Sequence, residues 1–194
     1  MKTNNSTNTR KLVKKNPLLI FTFFFTMMTA LPAAALTTSE ILDNSGFKVL
    51  KTALDLLDLT PVIDDYTITV FAPTDDVFTE TAQALGCDGE LDLASKLAQI
   101  PVGDINALAY VVGYHVYVGE LGNTADILSA GTVTTVINET LSTGVDKNGL
   151  YVMGKVNSTP STITTTGIES DNSSFVYAID QILLPINPAT VCQD

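Results

Sequence analysis

The hydrophobic period changes partway along the chain, and that change limits the fold more than any other feature. In the first half, apolar residues recur at helical spacing. Phe47, Leu50, Leu54 and Leu57 form one stripe, with Lys48, Lys51, Asp55 and Asp58 on the other faces. Phe78, Ala82 and Leu85 form a second stripe, Leu93, Leu97 and Ile100 a third, and Ile105, Leu108, Ala109 and Val112 a fourth. From Gly131 onward Val, Thr and Ile dominate, and residues 132–137, 140–145, 150–152 and 175–179 read as strands. Residues 66–71 and 114–118 read as two strands inside the helical half. Helices first and strands later make this an α+β chain.

Punctuation residues divide these runs. Thr37-Thr38-Ser39-Glu40 is a capping box opening a short helix. Pro61 follows the end of the next helix. Thr74 is a candidate N-cap, with Asp75 and Asp76 at the positive end of the helix dipole. Asp104 is placed to cap the fourth helix and Gly113 to end it. Asn148-Gly149 between two strand-like runs predicts a hairpin. Ten of the eighteen residues in 157–174 are Ser or Thr, with Ile163 and Ile168 among them, which predicts an edge strand and its loops. Residues 182–184 read as part of the last strand, stopped by Pro185.

Charge separates the first 35 residues from the rest. Residues 1–35 hold five basic residues and no acidic one. Residues 36–194 hold the other five basic residues and all 21 acidic ones, a net charge of −16. Lys11, Lys14 and Lys15 precede the apolar run 18–28, and Ala33-x-Ala35 follows it. Positive, apolar, then small is the order of a secretory signal peptide, so residues 1–35 are expected to be removed and the mature chain to begin at Leu36. An uncleaved anchor is the rival reading, since residues 18–36 approach spanning length. Either reading carries residues 36–194 out of the cytosol as one domain with its core at about 38–186, and the cleaved form leaves no membrane span. The 159 residues from Leu36 are enough for one well-cored domain and too few for two.

In an oxidising compartment the two cysteines, Cys87 and Cys192, most simply form one disulfide, with free thiols or intermolecular pairing as alternatives. Asn138, Asn157 and Asn172 each open an Asn-x-Ser/Thr sequon and are candidate N-glycan acceptors that would mark solvent-facing loops.

Several function classes fall away. One His and two Cys are too few for a structural zinc module, and an acidic chain offers no basic face to nucleic acid. No Gly-x-Ser-x-Gly turn, phosphate loop or dinucleotide fingerprint occurs, so the sequence calls for no cofactor. Asp64-Asp65 and Asp75-Asp76 read as solvated faces and a helix start rather than a glycosidase pair or a calcium site. Residues 88–92 lack the glycine and glutamate placement of an EF-hand loop. An anionic surface still binds divalent cations diffusely, so calcium-assisted attachment is one expected mode.

Three segments carry a family resemblance. Thr69-Val70-Phe71-Ala72-Pro73-Thr74-Asp75-Asp76-Val77-Phe78 resembles the first signature of the fasciclin-type domain. Tyr114-His115-Val116 is similar to its central Tyr-His motif. Phe175-Val176-Tyr177-Ala178-Ile179-Asp180-Gln181-Ile182-Leu183-Leu184-Pro185 resembles its second signature. Order and spacing agree over about residues 38–186. The resemblance implies a β-wedge of about seven strands beside a cluster of short helices, with the two signature segments paired in the core.

The resemblance also implies an extracellular adhesion or matrix-interaction module without catalysis. Its partners would be cell-surface or matrix proteins or glycans, and self-association is a further mode. In animal members, integrin contact is assigned to Asp-Ile motifs and the Tyr-His region, which makes Tyr114 and His115 the candidate partner-binding residues. This chain reads Thr166-Gly167-Ile168-Glu169 where the Asp-Ile pair is expected, and Tyr177 where the family often has His. Asp126-Ile127 occurs elsewhere. Read functionally, His115 is a general base or part of a partner-binding patch; the structural reading places it at the start of a buried strand, bonded to the backbone, and the resemblance implies this fold role rather than a catalytic site. Two alternatives to adhesion are a hydrolase or isomerase on the same scaffold, requiring a polar pocket near His115, and a soluble binder of a small apolar ligand or receptor.

Overall fold

The computed structural model describes residues 35–188 and 191–192. The signal-peptide reading falls on residues 1–35 and so lies, but for Ala35, outside the described residues.

Three short helices come first: α1 (Thr38–Asn44), α2 (Lys48–Leu56) and α3 (Thr60–Asp65). The strand β1 (Ile68–Pro73) follows, then α4 (Asp75–Leu85) and α5 (Glu90–Gln99). A ribbon of β2 (Pro101–Val102) and β3 (Ile105–Asn106) leads into α6 (Ala107–Tyr114). The remainder is β4 (Val116–Val118), α7 (Thr124–Ala130), β5 (Thr132–Thr134), β6 (Thr140–Asp146), β7 (Gly149–Met153), β8 (Ser161–Thr162), β9 (Ile168–Glu169) and β10 (Phe175–Ile179).

These strands build two four-stranded sheets, in the orders β4-β1-β10-β9 and β5-β6-β7-β8. Tyr117 bridges to Thr135 at one seam and Ile163 to Ile179 at the other, so the sheets meet along both sides. The two signature segments lie side by side: β1 and β10 pair in parallel, with Thr69 opposite Phe175 and Pro73 opposite Ile179. Every residue of both strands is buried. Their alternating side chains feed two cores. Val70, Ala72, Val176 and Ala178 face the helices, where Ile41, Leu50, Leu54 and Leu108 lie. Phe71, Phe175, Tyr177 and Ile179 face the second sheet, against Ile127, Leu141 and Val152.

Capping explains how the helices are placed. Thr37 and Glu40 form the expected capping box on α1. Asp64 also reaches α1: its carboxylate accepts from the Ser39 N–H at 2.8 Å and the Ser39 hydroxyl at 2.7 Å. Asp75 accepts from the Val49 N–H at 2.8 Å, capping α2 from the start of α4, while its own N–H donates to Gly46 O at 3.0 Å. Asp64 and Asp75 are therefore cross-element caps, which a reading of adjacent carboxylates as solvated or local did not capture. The Thr74 side chain makes no capping bond.

Other boundaries shift as well. Pro61 follows the end of α2 as read, and it also lies in the first turn of a further helix, α3, which has no use for its missing N–H. Asn106, not Asp104, caps α6, accepting from the Ala109 N–H at 2.9 Å. Residues 114–118 are not one strand: α6 continues through Gly113 to Tyr114, His115 is its C-cap, and β4 starts at Val116. The 182–184 run leaves the sheet after β10, and α7 was missed, although Asn123 caps it through the Ala125 and Asp126 N–H groups. In the β6–β7 hairpin, Gly149 pairs with Asp146 at a φ of +123°, so the two-residue turn is Lys147-Asn148, one residue earlier than read.

Cys87 and Cys192 are joined in a disulfide, 105 residues apart in sequence. It ties the segment after α4 to the C-terminal end of the described chain. In the chain-entropy picture a closed loop of this length stabilises by roughly 4–5 kcal/mol. Replacing both cysteines by serine is expected to lower unfolding free energy by that order, read in a denaturant titration as a lower midpoint with a steeper slope, because the denatured chain expands once the cross-link is gone. Asp75→Ala is expected to cost about 1–2 kcal/mol by stripping the α2 N-terminus of its acceptor, in the same measurement.

Candidate functional site

The Tyr-His pair sits where α6 meets the central sheet. Residues 107–112 are apolar nearly all round, because α6 packs between α5 and the sheet. At its end, two consecutive residues enter opposite cores. Tyr114 is 0% exposed and belongs to the core between the sheets, whereas His115 is 1% exposed and borders the helical core.

The polar atoms of both side chains are engaged with main chain. The Tyr114 hydroxyl donates to Thr140 O and accepts from the Lys155 N–H, each at 2.8 Å. It therefore ties α6 to the start of β6 and to the segment after β7. His115 Nε2 accepts from the Leu183 N–H at 3.0 Å, which requires that nitrogen to be unprotonated. The ring proton is then on Nδ1, donating to Val111 O at 2.7 Å. The His115 carbonyl accepts from the Phe71 N–H at 2.9 Å. One residue thus connects α6, β1 and the 182–184 segment.

Burial of the uncharged ring pushes the His115 pKa down from 6.5 to about 4, and the Val111 bond opposes this only in part. Tyr177, facing the other core, is stacked on Phe71 with ring centroids 6.2 Å apart, and its hydroxyl donates to Leu121 O at 2.6 Å. Burial, with Asp126 nearby, pushes its pKa up to about 12.

The segment held by His115 is irregular and needs other partners. Asn157 Oδ1 accepts from the Leu184 N–H at 2.8 Å while its Nδ2 donates to Ile182 O at 2.8 Å. The Val156 N–H donates to Leu184 O at 3.1 Å. Asp180 accepts from the Thr162 N–H at 2.7 Å. Signals for these clamps are weak in sequence, because Asn157 lies in a Ser/Thr-rich stretch whose partners are 25–27 residues away.

A cavity of about 40 Å³ lies beside His115 among α2, α4, α5, α6 and the C-terminal segment. Of its lining side chains only Thr81, Glu90 and His115 are polar, and both His115 nitrogens are engaged. Convergent polar groups of the kind the hydrolase or isomerase reading requires are not assembled there. Among the described residues every buried side-chain nitrogen and oxygen has a hydrogen-bond partner. The one cluster of metal-ligating atom types among them is Cys87, Asp92 and Cys192, and its two sulfurs are bonded to each other. No helix among the described residues is long and apolar enough to cross a membrane.

Among the remaining sequence candidates, Asn157 grips the same 182–184 segment as His115. Tyr114 and His115 present no side-chain surface to a docked protein; in the strand that follows, Tyr117 is half-buried and Val118 exposed. Asp126 lies in the first turn of α7, bonded to Asn123, and Ile127 is fully buried. Ile168 pairs with Val176 in β9, with Glu169 exposed. Asn138 is exposed, whereas Asn157 and Asn172 are half-buried.

A mixed helix-and-sheet fold with a parallel β1–β10 pair and a buried Tyr-His corner is the architecture that the family comparison tests. Residues 45–185 match the family model described as Fasciclin domain, and the chain belongs to that family. Its backbone is similar to the solved structure of a FAS1 domain pair from the insect cell adhesion molecule Fasciclin I. The TM-score is 0.60 and the identity 12%, over 79% of this chain and 52% of that one. The chain thus spans about half the length of the solved chain it matches. No curated protein matches the sequence.

Protonating His115 removes the acceptor for the Leu183 N–H, so stability depends on pH. Unfolded, the ring titrates at its ordinary 6.5; folded, at about 4. Between these values the unfolded state binds more protons, so stability rises with pH. The contribution is complete above pH 6.5 and is lost as pH falls toward 4, about 3 kcal/mol in all. Denaturant titrations at pH 7.5 and 5.0 are expected to differ by about 2 kcal/mol from this group, the sole histidine. His115→Gln is expected to be less stable at pH 7.5 and to flatten that dependence; an unchanged dependence contradicts the clamp.

Proposed function

We propose that this chain is an exported, non-catalytic adhesion module whose surface binds cell-surface or matrix protein or glycan. The observation that carries this reading is the His115 geometry. The one side chain suited to acid–base work near neutral pH has both ring nitrogens committed to main chain. Family membership and the leader-like pattern of residues 1–35 support the extracellular setting. The net charge of −16 on residues 36–194 favours neutral or cation-bridged partners over sulfated or uronic polysaccharide at low salt. A single domain of this kind bridges two surfaces by self-association or through two binding faces.

Attachment is the measurement. Cells carrying the gene, cells lacking it, and the latter with purified protein added back are compared with and without calcium. Loss of attachment without the gene and recovery on addition is the expected result. Equal attachment in all three arms overturns the reading. The exported protein is expected to begin at Leu36 in N-terminal sequencing.

A further inference from the structure

The three sequons of residues 36–194 share one motif in sequence and are unlike one another in the fold. Asn138 is exposed in the turn between β5 and β6, at a φ of +61°, with its N–H donating to Thr135 O at 2.9 Å. Asparagine tolerates this left-handed conformation. Its side chain makes no hydrogen bond among the described residues, and Thr140, the sequon hydroxyl, is also exposed.

Asn172 is the opposite case. Its Nδ2 donates to Asp64 O at 2.9 Å and to Tyr66 O at 3.0 Å. Its Oδ1 accepts from the Ser174 N–H at 3.1 Å and from the Ser170 hydroxyl. The sequon hydroxyl, Ser174, is fully buried, donating to Tyr66 O at 3.0 Å and accepting from the Ile68 N–H at 2.9 Å. This cluster joins the end of α3 to the starts of β1 and β10.

Asn157 is intermediate in burial but equally committed. Its Oδ1 and Nδ2 together grip Leu184 N–H and Ile182 O, two residues apart on one segment. A primary amide can do this only with the Nδ2 hydrogen on the Oδ1 side. An N-linked sugar takes that position.

We propose that Asn138 is the one sequon of this domain that carries an N-linked glycan in the folded protein, and that Asn157 and Asn172 are structural clamps which glycosylation would break. In the transfer, Nδ2 bonds to the anomeric carbon of an oligosaccharide carried on a lipid diphosphate. The bond from that carbon to the diphosphate breaks, the lipid diphosphate leaves with the electron pair, and one Nδ2 proton is released to base. At Asn138 this removes nothing the fold uses. At Asn172 it removes a donor to Asp64 or Tyr66, and at Asn157 the donor to Ile182. Occurrence in the native setting rests on the export reading above.

The test is arranged so that this dependence does not enter. A heterologous cleavable leader is placed ahead of the full chain in a eukaryotic secretory host, so delivery does not rely on residues 1–35. The disulfide-bonded monomer is deglycosylated by a peptide N-glycosidase in heavy-oxygen water, and each asparagine is scored by mass spectrometry. A heavy-oxygen label at Asn138, with Asn157 and Asn172 bare, is the expected result. A label at Asn157 or Asn172 in that monomer, or a bare Asn138, overturns the assignment. Unglycosylated protein supplies a second reading. Asn138→Asp, which keeps a residue suited to the left-handed turn, is expected to leave the melting temperature unchanged, while Asn157→Gln and Asn172→Gln each lower it by about 5 °C or more. A drop for Asn138→Asp, or none for the other two, overturns it as well.

Discussion

The parallel pairing of β1 with β10 is the constraint on which the rest of the structure depends. Strands about a hundred residues apart in sequence lie side by side with every residue of both buried. A strand buried on both faces needs a layer on each, and the chain supplies helices on one face and the second sheet on the other. Because side chains alternate along a strand, the same ten or so residues serve two cores at once. Helix capping follows from this arrangement. Asp75, just beyond the end of β1, lies close enough to α2 to cap it, so the strand position and the helix position are fixed together.

The Tyr-His corner extends the same logic to the chain after β10. Residues 180–184 have left the sheet, so their backbone groups have lost ladder partners and must find others. His115 takes Leu183, Asn157 takes Ile182 and Leu184, and Tyr114 holds the neighbouring segment at Lys155. A neutral imidazole serves here because one ring presents a donor and an acceptor on opposite edges. Burial that would be unfavourable for an imidazolium is tolerable for this tautomer, and it also withdraws the ring from proton transfer near neutral pH. A motif that stands out in sequence for its chemistry therefore acts in the fold through geometry.

Much of the fold was legible. The apolar stripes from Phe47 to Val112 place four helices correctly because helical spacing is local and repeats over many residues. The segments 69–78 and 175–185 were recognisable as the paired signatures, and the structure sets them in register. Boundaries were less legible where local signals conflict. Gly113 looked like a helix end, yet it continues α6, because Ile137 packs where its side chain would be and the helix needs a close approach there. Of the site, the identity of Tyr114 and His115 was visible in sequence. The burial of His115 and its bonding to backbone were read as well and are found; the burial of Tyr114, the His115 tautomer and the clamp residues Asn157, Asp75 and Asp64 were not legible.

Sequence by itself determined the α+β class, the family, the acidic charge of residues 36–194 and the residues available for chemistry, since each of these depends on composition, order or short-range spacing. Tertiary structure alone decided which polar groups are free. Asn138, Asn157 and Asn172 share one motif, and Asp64 and Asp75 share one pattern of adjacent carboxylates. Whether each meets solvent or a backbone group depends on segments up to 108 residues away in the chain. A hydrogen bond forms or fails within a few tenths of an ångström, and that precision arises only when the distant strands have closed.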